Sequence, residues 1–163
     1  VTRRPGALSA GARRASRALA AAAVLGLMLI AAGTTADVVL RYAFAQPIPG
    51  FVDVTALAGA VLLAACMPWV VASRGNIAID LVGRAAGPRA RRALDLLGAS
   101  VTFVFFAVLA WNYAAFALEM FRGGERMAIL RWPVWPWWSG VAACIAMTAC
   151  VAALTLADRE PSA

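Results

Sequence analysis

Residues 54–84 read VTALAGAVLLAACMPWVVASRGNIAIDLVGR, and the fold turns on them. Val54 to Ser73 carry no charge at all, and then Arg74, Asp80 and Arg84 follow in quick succession. An uncharged run of roughly 20 residues, wound as a helix, covers the roughly 30 Å of a bilayer's hydrocarbon. Such a helix is apolar all round, so it has no side to turn to water. Pro68 inside the run reads as a bend or, in a sharper reading, a gate. The stretch therefore predicts a membrane-crossing helix followed by a polar connection.

The same pattern recurs outward in both directions. Residues 18–36 lie between Arg17 and Asp37, residues 96–118 between Asp95 and Glu119, and residues 132–157 between Arg131 and Asp158, each without a charge inside. Pro136 suits a first helical turn, where its missing N–H costs nothing, and so marks the start of the last helix. None of the runs alternates as barrel strands do, and lipid does not tolerate an unpaired backbone. The fold class is thus all-α integral membrane: a bundle of four transmembrane helices at about 18–36, 54–73, 96–118 and 136–157. An Arg-rich tail (1–17) and a short tail (158–163) flank this domain. Arginines ahead of the first run and small residues behind it also fit a signal peptide. With three more runs following, an uncleaved first helix is the simpler reading.

The 163 residues are 63% hydrophobic and carry a net charge of +7, a composition typical of membrane proteins. All fifteen bases are arginine, and their distribution sets orientation. Eleven lie in the two tails and the 74–92 connection, against four (Arg41, Arg122, Arg126, Arg131) on the other side. The positive-inside rule then places both termini and that connection in the cytoplasm. The charge is a topology signal and an attraction to membrane lipid, with no nucleic-acid partner implied.

Histidine is absent, which removes haem ligation, imidazole proton relays and histidine metal sites. Cys66, Cys144 and Cys150 sit inside apolar runs without metal spacing and read as small core residues. No nucleophile and base pair, carboxylate dyad or phosphate-binding loop is visible, so no catalytic residue, metal or cofactor is expected. A carrier coupling to ions by itself needs an ionisable group facing its interior, and the four runs hold none.

The chemistry is therefore sought in the connections. In SRGNIAIDLVGR (73–84), Asp80 precedes Arg84 by four, the favourable order for a helical ion pair. A short surface helix there would put its isoleucines and Leu81 into the acyl boundary, with Gly87 and Pro88 ending it. Arg74, Asn76 and Asp80 form either a self-satisfied topogenic loop or a set of groups that cap a partner's helix ends. On the other face, Asp37 and Arg41 are four apart, which carries the first helix past the hydrocarbon edge with a paired charge. Pro47, Pro49 and Gly50 make the turn, and Asp53 opens the second helix as a dipole cap or an intersubunit contact. Trp132, Trp135, Trp137 and Trp138 read as an interfacial belt, with an aromatic ligand cage as the alternative.

The segments DVVLRYAFAQPIPGFVDVTAL (37–57), SRGNIAIDLV (73–82) and AILRWPVWPWW (128–138) together resemble the small, DctQ-type membrane subunit of tripartite ATP-independent periplasmic (TRAP) transporters. Asn76 stands where that family often has histidine, and Asp53 where it commonly has glutamate. The resemblance implies a bacterial inner-membrane protein. Its implied partners are a large, DctM-type permease subunit that carries substrate and sodium sites, and a DctP-type periplasmic binding protein that delivers an organic acid. It further implies that the small subunit braces the stationary part of the large one, with Arg41, Asp53, Arg74, Asn76 and Asp80 as contacts. The competing classes are a self-sufficient small oligomeric carrier or pore, and a membrane-assembly factor without a transport role.

Overall fold

The computed structural model describes residues 7–73 and 87–157. They form four helices: α1 (Ala7–Phe44), α2 (Phe51–Ala72), α3 (Gly87–Gly123) and α4 (Trp135–Ala157). All four are long and apolar enough to cross a membrane. Among the described residues there is no strand, and the one extended pairing is an isolated antiparallel bridge between Arg126 and Pro133. The surface helix expected near Asp80, together with Arg74, Asn76 and Arg84, lies outside the described residues.

Three helices outrun their uncharged windows, α2 by the single turn that holds Asp53 and the other two by far more. α1 has 38 residues and α3 has 37, about 55 Å of helix each, against 22 and 23 for α2 and α4. α1 continues through Asp37 and Arg41 as the i,i+4 spacing predicts, because the two charges neutralise each other on the helix surface. α3 begins at Gly87 with Pro88 in its first turn, so this pair opens the third helix. The uncharged run marks only the lipid-compatible part of a helix. α2 passes through the buried Pro68 without a break, and α4 begins one residue before Pro136.

The bundle is laid out in the order α1, α2, α4, α3. α4 lies between α2 and α3, whereas α1 packs along α2 and meets α4 only at its edge. No Cα of α1 or α2 comes within 8 Å of one in α3 among the described residues. Two apolar clusters hold the centre. Val71, Ala72, Val151 and Ala152 join α2 to α4, with Phe103 and Phe106 of α3 packed on them. Nearer the other end, Ala64, Val141 and Ile145 meet Leu109, Tyr113 and Trp138. Lipid is as apolar as leucine, so the gain comes from close packing, which small residues permit. The α1–α2 seam shows this: a Cβ on Gly33 would stand 2.6 Å from the Phe51 ring, and one on Gly26 would stand 2.8 Å from Leu62. Buried polar groups are satisfied locally, as where fully buried Thr148 donates to the Cys144 carbonyl at 2.8 Å.

Candidate functional site

Two carboxylates that bond to distant backbone groups lie where the α1–α2 turn and the α3–α4 connection sit side by side. α1 stops at Phe44 because Ala45 takes a left-handed conformation (φ 52°), which a helix cannot continue. The chain then runs through Pro47 and Pro49 to Gly50, whose φ of 74° suits glycine. A Cβ at Gly50 would also approach Leu130 to 2.6 Å, so glycine lets the two connections touch.

Asp37 organises this end. It is only 5% exposed, and its carboxylate accepts from Arg41 Nη2 at 2.9 Å and from the Ile48 N–H at 2.7 Å. The first bond confirms the ion pair expected from spacing; the second, eleven residues along the chain, pins the turn back onto α1. Burying a carboxylate is costly unless it is paired, and here both oxygens are engaged. The Arg41 side chain remains 56% exposed, so most of the guanidinium still faces outward.

Asp53 lies in the first turn of α2, where its charge suits the helix dipole, and it also reaches beyond its own helix. No side-chain cap hydrogen bond forms at the start of α2; instead its Oδ2 accepts from the Ile129 N–H, 3.2 Å away in the α3–α4 connection. That connection is itself tied. The Met127 N–H donates to the Trp132 carbonyl (2.8 Å), the Arg131 N–H to Met127 (3.2 Å) and the Val134 N–H to Glu125 (3.1 Å), with Met127 buried beneath. Two carboxylates thus each hold a backbone N–H of one connection. Both are committed to structure, and Tyr42, Phe44, Arg122, Arg126, Ile129 and Arg131 are left exposed around them.

The four tryptophans divide. Trp138 stacks on Tyr113 (ring centroids 6.0 Å, interplanar angle 16°) and meets Phe116 edge-on at 5.0 Å, while Trp135 meets Phe121 edge-on at 5.3 Å. These two fasten the start of α4 to α3, each contact contributing about 1 kcal/mol beyond burial. Trp137 is half-buried, and Trp132 is exposed on the connection. Of the five contact residues expected from the sequence, Arg41 and Asp53 lie at this end and Arg74, Asn76 and Asp80 fall outside the described residues. The Asp37–Ile48 and Asp53–Ile129 bonds carry no sequence signal, since each joins a side chain to a backbone group whose position only the fold sets.

Among the described residues no three Cys, Asp or Glu side chains converge as a metal site. The family model described as "Tripartite ATP-independent periplasmic transporters, DctQ component" matches residues 30–160, well over half of the chain. No curated protein and no solved structure matches it.

Proposed function

Since the chain belongs to the DctQ component family of tripartite ATP-independent periplasmic transporters, and is thus the small membrane component of such a transporter, we propose that it serves as a fixed frame. In this reading it braces the large permease subunit, which binds an organic acid and the sodium ions whose gradient drives import. Both termini and the 74–86 connection face the cytoplasm of a bacterial inner membrane. The Asp37 and Asp53 end faces the periplasm and helps receive the substrate-binding protein.

One observation carries the reading: the uncharged runs of all four membrane-spanning helices contain no acidic or basic residue, and Asp37 and Asp53, which flank two of them, are bonded to backbone amides. A sodium or carboxylate site needs charged or polar ligands facing a protected interior. Here the buried positions are mostly alanine and valine, and the hydroxyl of fully buried Thr148 is spent on the Cys144 carbonyl. The ion sites therefore belong to another chain.

The test is recovery of the tagged chain from membranes in mild detergent, together with uptake of the organic acid by the same cells. The large subunit should come with it, and Arg74→Glu combined with Asp80→Arg should reduce both recovery and uptake. Undiminished recovery and uptake in that double variant would remove those two residues from the contact. Absence of the large subunit from the wild-type preparation would overturn the scaffold reading.

A further inference from the structure

The exposed faces of α1 and α3 look alike in hydropathy but differ in polar chemistry. On α1, Leu25, Met28 and Leu29 point outward, and the exposed hydroxyls of Thr34 and Thr35 donate to the Ile30 and Ala31 carbonyls at 2.8 and 3.0 Å. Hydrocarbon can cover that face without leaving a polar group unsatisfied. On α3, Asn112 is exposed within the uncharged run, seven residues and about 10 Å short of Glu119. Its Nδ2 donates to the Val108 carbonyl at 2.8 Å, while Oδ1 has no hydrogen-bond partner among the described residues. An amide oxygen facing acyl chains is costly, and a neighbouring helix relieves that cost.

The surroundings of Asn112 fit a helix partner. Val101, Phe105, Val108, Asn112, Glu119 and Arg122 follow one another in steps of three, four or seven, and all are exposed. That is a 3.5-residue period, the seam of a left-handed helix pair, with a polar amide at a position that sets register. A second copy would have the same orientation in the membrane. Seam on seam it would set Glu119 against Glu119 and Arg122 against Arg122, a like-charge juxtaposition that disfavours self-pairing.

We propose that this α3 seam docks a transmembrane helix of the large permease subunit. That helix offers an amide or hydroxyl at the level of Asn112 and, at the rim, a base facing Glu119 and an acid facing Arg122. The proposal rests on the scaffold reading above and adds which face is used: α3 meets protein, and α1 meets lipid.

A photo-crosslinking side chain (benzoylphenylalanine) placed at Val108, and separately at Leu29, of the full-length chain in membranes with the large subunit tests it. The Val108 probe should give an adduct with the large subunit and the Leu29 probe should not. Asn112→Leu should lower recovery of the large subunit roughly three- to tenfold, the range of one membrane-buried polar contact, and Asn112→Gln should restore most of it. A large-subunit adduct from Leu29 with none from Val108, or a Val108 adduct made of two copies of this chain, would overturn the assignment of α3. Failure of the unmodified chain to recover the large subunit at all would instead remove the scaffold reading, and the docking proposal with it.

Discussion

In their most apolar windows α2 and α4 bury 22% and 33% of residues, whereas α1 buries 6% and α3 none. All four helices are equally hydrophobic, so hydropathy does not separate them. What separates them is place in the row: α2 and α4 each pack a helix on both sides, α1 and α3 on one. Ala64, Ala65, Ala72, Ala149 and Ala152 let α2 and α4 approach each other, while α1 and α3 present leucine, methionine, phenylalanine and tryptophan outward. The inner pair is covered by its neighbours; the outer pair presents most of the exposed apolar surface.

The largest effect should follow from filling the inner seam. Ala152 is 1% exposed, and Ala152→Phe should cost about 3 kcal/mol, the upper end for overpacking. This would be read as a melting temperature in detergent lowered by several degrees, while Ala115→Phe on the exposed side of α3 leaves it unchanged. Equal losses at the two positions would erase the distinction between inner and outer helices.

Next in size is Asp37→Ala, which removes an acceptor from both Arg41 and the Ile48 N–H. It should cost about 2 kcal/mol and accelerate hydrogen exchange at the Ile48 amide. Unaltered exchange there would mean that the turn holds without α1. Asp53→Ala should cost about 1 kcal/mol and raise protease cutting between residues 125 and 134 more than in the 45–50 turn, because its carboxylate reaches Ile129. The reverse pattern would return Asp53 to a local capping role. Leu29→Ala should change stability by less than about 0.5 kcal/mol, since its side chain is 73% exposed and hydrocarbon covers either residue. A larger loss would show that α1 packs against something more than lipid.

The legible part of this molecule is what its local spacing determines. Four uncharged runs specify four helices, and the Asp37–Arg41 pair follows from a single helical turn. Helix lengths are only half legible: a charge ends an uncharged run but does not end a helix, so α1 and α3 run on through their flanking charges. The order α1, α2, α4, α3 and the clasp of Asp53 on Ile129, 76 residues away, depend on which helix faces which, and nothing in the local pattern states that. The tryptophans illustrate the same limit. Their clustering reads as an interfacial belt, yet Trp138 is held by Tyr113 and Phe116 once α3 and α4 pair.

A chain with electrically empty spans should frame a transporter without conducting anything itself. Solute flux into proteoliposomes under an imposed sodium gradient tests it most directly. The chain alone should give no uptake of an organic acid above empty vesicles, and adding the large subunit with loaded binding protein should restore sodium-dependent uptake. Gradient-driven uptake by this chain alone would make it a carrier in its own right and not a frame.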